Sequence, residues 1–149
     1  MEGHVPAGSG THIMGRASYE EMATVWPNST GVYADLMNDI PKVVFSKTLT
    51  HAEWPESRIA SGELADDIDK LKREPGGVIV AHGGATFIGS LIRENLIDEY
   101  RLVIHPVVIG NGTSLFAELR TPLRLDLIQA RTFPSGTVIN VYRPHKGTR

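Results

Sequence analysis

The chain reads as an α/β fold with a mainly parallel sheet covered on both faces and an antiparallel hairpin at its end. Three features predict this. Short β-branched runs alternate with helix-period stretches, the pattern of βαβ units. One run, from Val78, breaks at Gly83-Gly84 directly into a helical pattern at Phe87, Ile88, Leu91 and Ile92. Finally, Leu123–Phe133 and Thr137–Arg143 flank the turn Pro134-Ser-Gly136, as in a hairpin.

In order, residues 1–10 (MEGHVPAGSG) are small and aperiodic and are expected to be a flexible leader. Thr11–Met14 is a short strand closed by Gly15. Ser18, with Glu21 three residues on, is placed to cap a helix through Tyr19, Met22 and Trp26, which Pro27–Gly31 ends. Val32–Asn38 is a second helix, stopped by Pro41. Lys42–Ser46 is a strand, Leu49–Ser57 a loop containing Trp54-Pro55, and Arg58–Ser61 a weak strand. Leu64, Ile68 and Leu71 recur at helical spacing, with Asp66, Asp67 and Asp69 near the start, where carboxylates suit the helix dipole. Pro75-Gly76-Gly77 launches the Val78–Ala81 strand, and a helix covers 85–94. Glu99–Ile109 is predicted as one long strand, at an edge or bulged because Pro106 lacks an N–H. The hairpin follows, and 145–149 is a tail.

A chain of 149 residues suits one domain. Its apolar (41%) and charged (21%) fractions are those of an ordinary globular protein. A formal net charge of −2 supplies no global field for nucleic acid or an anionic membrane, so neither is expected as a partner. The absence of cysteine excludes disulfides, thiolate metal sites and a thiol nucleophile. No apolar run approaches the roughly 20 residues that span a bilayer. A cytoplasmic location is expected.

A strand that breaks at paired glycines into a helix brings bare backbone close to a ligand, and unpaired N–H groups at the helix start favour an anion. Alone, the pattern is more often a tight turn with no ligand. The six histidines, at 4, 12, 51, 82, 105 and 145, lack metal-ligand spacing, so no metal site is expected.

Three segments together resemble one family. His12-Ile-Met-Gly-Arg-Ala-Ser-Tyr-Glu20 is similar to the MGR-x-[ST]-[WYF]-E motif of dihydrofolate-reductase-like proteins, and Val43-Val-Phe-Ser-Lys-Thr-Leu49 to their next nucleotide-binding strand end. Gly83–Leu91, Leu96–Leu102 and His105–Gly112 resemble the C-terminal reductase domain of the bifunctional riboflavin-biosynthesis deaminase/reductase and its stand-alone relatives. The likeness covers about 11–144. It implies a dihydrofolate-reductase-like three-layer sandwich and NADPH as cofactor.

On that resemblance, Gly15, Arg16, Ala17 and Ser18 hold the pyrophosphate through backbone N–H groups, the Ser18 hydroxyl and the Arg16 fork. Ser46, Lys47 and Thr48 surround the 2′-phosphate that distinguishes NADPH from NADH. Gly83, Gly84, Ala85, Thr86 and Phe87 form a second clamp. Each has a plainer reading: Arg16 and Lys47 as solvated charges, Ser18 as a helix cap, the aspartates as a wet helix face. Trp26 and Trp54 read as packing residues. His82 lies where the riboflavin-pathway reductases carry a glutamate that contacts substrate. As imidazole it is the candidate catalytic group, or else a histidine satisfied at the sheet end. His105 reads as structural.

Two departures from the family bear on function. Asn38-Asp-Ile-Pro-Lys42 lacks the arginine that pairs with folate, which disfavours dihydrofolate. The family also begins with a strand, a loop and a helix before the MGR motif, and the residues ahead of Thr11 leave no room for them. Val78–Ala81 and Arg101–His105 would then lack a neighbour, so the polypeptide is expected to start further upstream, or a homodimer to complete the sheet. The function implied is NADPH-dependent hydride transfer to a small heterocyclic or ribosylamino-pyrimidine substrate. The alternatives are a non-catalytic nucleotide-binding or oligomerisation module and a true dihydrofolate reductase.

Overall fold

The structure is a computed structural model and describes residues 9–82 and 84–147. The chain divides into two compact units, with the boundary between Ser90 and Leu91.

The first unit holds four parallel strands: β1 (Ser9–Gly15), β2 (Lys42–Phe45), β3 (Ser57–Ala60) and β4 (Val78–Ala81), in the order β3-β2-β1-β4. Between them run α1 (Arg16–Val25), a 3-10 turn (Trp26–Asn28), α2 (Val32–Asp39) and α3 (Leu64–Arg73); α4 (Ala85–Arg93) follows β4. Side chains alternate along a strand, and the register pairs His12 with Lys42 and Met14 with Val44, so these four share one face. On that face Met14 and Val44 pack with Tyr19 of α1, Met37 of α2 and Trp54 in the core. Burying each such side chain is worth about 1.5–3 kcal/mol. Ile13 and Val43 alternate to the opposite face, where Phe87 of α4 stacks on Phe45 at 5.4 Å.

The second unit is an antiparallel sheet of β5 (Tyr100–Ile104), β6 (Leu125–Thr132) and β7 (Val138–Pro144), in the order β5-β7-β6. The expected hairpin is β6–β7. Its turn is closed by the Phe133 N–H donating to the Thr137 carbonyl, and Gly136 takes the positive φ of 92° the reversal requires. Among the described residues β4 pairs only with β1 and β5 only with β7, so both are edge strands, as the sequence suggested.

Three of the differences from the expected boundaries have a clear physical cause. β1 takes in Ser9 and Gly10, which composition assigned to the leader; residues 1–8 lie outside the described ones. Gly10 sits so close to the backbone before β4 that a Cβ there would lie 2.5 Å from the Gly77 nitrogen, a contact only glycine permits. The long strand at 99–109 stops at Ile104: Pro106 cannot donate to a ladder, and the Val107 N–H turns back to the His105 carbonyl at 2.8 Å. Helix α1 begins at Arg16 with Gly15 as its N-cap and no side-chain cap, so Ser18 is inside the first turn and not the cap.

Lys42 is the largest fully buried side chain. Its ammonium donates to the carbonyls of Met37 (2.8 Å), Asn38 (3.1 Å) and Ile40 (2.8 Å), closing the C-terminal end of α2, and lies 4.3 Å from the centre of a Trp54 ring. The Trp54 indole N–H in turn donates to Asn38 Oδ1 at 2.6 Å. Burial pushes the Lys42 amine down to about 8, against the pull of Glu56 and Asp39. Lys42→Met keeps the stem's packing and strips these carbonyls of their donor. Urea unfolding is expected to show a loss of roughly 2–4 kcal/mol, and a loss below about 0.5 kcal/mol would show that the cap contributes nothing.

Candidate functional site

Parallel strands end on the same side of a sheet, and open α/β sheets bind ligands beyond those carboxyl ends. Here β2, β1 and β4 end side by side, with Gly15 in register with Phe45 and Ile13 with Ala81. The ladder runs one residue past β4, where the His82 N–H donates to the Ile13 carbonyl at 3.0 Å. Beyond the ends lie Ser46–Thr48, the first turn of α1, and His82 to the first turn of α4.

Side chains tie these segments together. The Gly84 N–H donates to Ser18 Oγ at 3.0 Å, joining two stretches 66 residues apart and leaving the hydroxyl proton of Ser18 to face another acceptor. Arg16 Nη1 donates to Thr48 Oγ1 at 2.7 Å, and Nε to Glu20 at 2.8 Å. Ser46 Oγ accepts from the Leu49 N–H at 3.0 Å and lies 3.4 Å from Thr48 Oγ1. A Cβ on Gly15 would meet the Phe87 Cβ at 3.1 Å, so the lack of a side chain there lets α4 close against β1. A Cβ on Gly84 would meet nothing within 4 Å: its outer side is open.

Electrostatically the place favours an anion. The first N–H groups of a helix have no partner within it and carry partial positive charge. Neither α1 nor α4 has a carboxylate in its first turn, and α1 has no capping side chain. Arg16 adds a guanidinium. Gly15, Arg16, Ala17, Ser18, Ser46, Thr48, Gly84, Ala85, Thr86 and Phe87 therefore meet at one end of the sheet. Gly83 lies outside the described residues. Lys47 follows the same strand end with its ammonium 3.6 Å from Glu63, both largely exposed, and Arg16, itself paired with Glu20 at 2.8 Å, is the cation bonded to the Thr48 hydroxyl. An open groove lined by Tyr19, Glu20, His51, Glu53 and Trp54 includes none of the expected site residues except through their neighbour Glu20. Among the described residues no three His, Asp or Glu side chains are grouped to hold a metal ion.

His82 is half-buried at the end of β4, its ring centre 4.4 Å from that of His12 at an interplanar angle of 58°. Neither nitrogen of His12, nor Nε2 of His82, has a hydrogen-bond partner among the described residues, and all three are buried. Burial, then the neighbouring His82 and Lys42, lowers His12 to about 4; burial lowers His82 as well. His12 and Lys42 escaped the sequence reading. Their signal was present: one polar residue in each of the apolar runs His12-Ile-Met14 and Lys42-Val-Val-Phe45, at positions that alternation puts on the core side. His105 is exposed and lies 3.5 Å from Thr137 Oγ1.

A parallel sheet whose strand ends carry an MGR turn, a serine-threonine turn and a glycine-led helix, followed by an antiparallel three-stranded sheet, defines the dihydrofolate-reductase-like class. Within it the chain belongs to the RibD C-terminal domain family, which it matches over residues 4–139. It is 37% identical over 107 residues to YyaP of Bacillus subtilis strain 168, covering 72% of this chain and 56% of YyaP, so it spans little more than half of that relative's length. Among solved structures it resembles a Shewanella sp. PV-4 protein named for riboflavin biosynthesis (TM-score 0.74, 23% identity, 93% of this chain and 75% of that one). It also resembles dihydrofolate reductase from Enterococcus faecalis in complex with NADP(H) (TM-score 0.61, 15% identity, 91% and 74%). At such identities the structural likeness establishes the fold.

The buried imidazole has a consequence for stability. His12 stays neutral in the fold to about pH 4, whereas an unfolded histidine takes a proton near 6.5. Between those values the unfolded chain holds the extra proton, so the stability is intact above about 6.5 and is lost as the pH falls toward 4. Urea unfolding at a series of pH values is expected to show a loss of roughly 2 kcal/mol across this window, below the full linkage value because a buried site relaxes and admits water as it takes up a proton. His12→Leu should flatten that dependence, and an unaltered slope in the variant would assign it to other groups.

Proposed function

We propose that this domain is an NADPH-dependent reductase acting on a small heterocyclic substrate of the ribosylamino-pyrimidine kind. The observation that carries this reading is the Ser18–Gly84 hydrogen bond, which brings two glycine-led helix starts, distant in sequence, to one place. Two such starts without carboxylates can grip the two phosphates of one pyrophosphate. Membership of the RibD C-terminal domain family and the likeness to an NADP(H)-bound reductase support the same choice.

The residues fit the cofactor. The N–H groups of the first turns of α1 and α4, with the Ser18 hydroxyl, would hold the pyrophosphate. The open side of Gly84 admits it without a side chain in the way. Arg16, with the Ser46 and Thr48 hydroxyls, would hold the additional phosphate of NADPH through a planar donor fork and two neutral donors. When bound, the cofactor supplies the hydride; the protein's part is to fix geometry and charge. His82 adjoins the α4 clamp and is placed to hydrogen-bond the substrate.

Titration by the fluorescence of the reduced nicotinamide tests this directly. NADPH is expected to bind more tightly than NADH, and Arg16→Ala to cut NADPH affinity by about 10-fold, the order of one lost charge-assisted contact, with little change for NADH. Failure of both nucleotides to bind would remove the reductase reading. Equal loss for both would move Arg16 from the 2′-phosphate to the pyrophosphate.

A further inference from the structure

The His12–His82 pair is costly. Two imidazoles sit within stacking distance, with three buried nitrogens lacking hydrogen-bond partners among the described residues. A buried polar atom left unpaired costs about 1–3 kcal/mol, and an apolar residue at position 12, inside a strand and fully buried, would avoid that cost. The groups around the pair deny it a compensating negative charge. On the same face of β2 stands the Lys42 ammonium, in register with His12. The carboxylates that act on that lysine are Asp39 and Glu56. Among the described residues no carboxylate reaches the buried nitrogens of either ring. Two rings at 4.4 Å beside a buried cation cannot both carry charge without strong mutual repulsion.

We propose that His12 is a positioning residue for the reductase site: its buried ring packs on the His82 imidazole and fixes it at the end of β4, so that His82 hydrogen-bonds an uncharged pyrimidine ring in preference to an anionic one. This rests on the reductase reading above for its substrate class. Nε2 of His82 is buried, which leaves Nδ1 to meet a ligand, and in a neutral imidazole that nitrogen makes one hydrogen bond, to an N–H or a C=O of a uracil-type ring. To a carboxylate or phosphate it offers at most one neutral donor, where a cationic histidine would offer a charged one. His82 is thus a hydrogen-bonding reader of the substrate, and its proton is held in place and not delivered.

The test uses the free 149-residue chain, without nucleotide, and reads the imidazole Cε1–H signals by NMR, with His12→Leu and His82→Gln for assignment. His82 is expected to titrate below the ordinary value of about 6.5. At pH 7, 5-aminouracil is expected to shift its signal in a saturable manner, and orotate, which adds a carboxylate to the ring, to bind at least about 10-fold more weakly. His12→Leu should fold with undiminished stability at pH 7, leave NADPH affinity unchanged, and weaken 5-aminouracil binding by about 10-fold or more. His82→Gln, a neutral donor and acceptor, should keep more of that binding than His82→Ala. The proposal is overturned if His82 titrates at or above about 6.5, if orotate binds as tightly as 5-aminouracil, if 5-aminouracil does not bind, or if His12→Leu binds it like the parent. Failure to bind NADPH would instead sink the reductase reading and leave these ring measurements to be judged separately.

Discussion

Everything at the candidate site depends on the register of β1. It lies between β2 and β4, and its ladder with β4 is carried past the last strand residue by the His82 N–H on the Ile13 carbonyl. That bond fixes where the chain leaves β4, hence where Gly84 meets Ser18 and where the helix beginning at Ala85 points. A slip of one residue would turn every side chain of the strand to the other face. Met14 would leave the core, His12 would leave its partner ring, and the two helix starts would separate. The hydrophobic core and the anion-favouring end of the sheet are thus specified by the same hydrogen bonds.

Much of the fold could be read from the chain because the responsible signals are local. The strands at Val43 and Val78, the helix through Leu64, Ile68 and Leu71, and the hairpin around Pro134-Ser-Gly136 each announce themselves by period or by turn chemistry, and the element order follows. What could not be read were features set by tertiary proximity. Gly10 looks like linker composition until Gly77 is placed against it. Ser18 has the spacing of a helix cap, and only the arrival of Gly84 reveals that its oxygen is used elsewhere. Nothing in its own segment shows that Arg16 crosses from the neighbouring strand end to Thr48, beside Lys47.

The core-side row of β1 and β2 shows how polar groups are accommodated beneath a helix layer. His12 and Lys42 are adjacent on one face and both fully buried, yet they are treated differently. The lysine has three carbonyl acceptors and an aromatic face. The histidine has only another histidine. A satisfied buried charge belongs to architecture, whereas buried unsatisfied nitrogens beside a strand end are where folding has been compromised for another purpose.

The lysine clasp also bears on cooperativity. One side chain from the first residue of β2 holds the last carbonyls of α2, with the peptide at Ile40 between them. A helix of eight residues has little intrinsic tendency to persist in water. Here its fraying end is fastened to the sheet it covers, so α2 can detach only if the start of β2 lets go as well. Helix and strand form one opening unit, and the amides of this short helix should exchange with solvent at the pace of the central sheet and not at that of a surface segment.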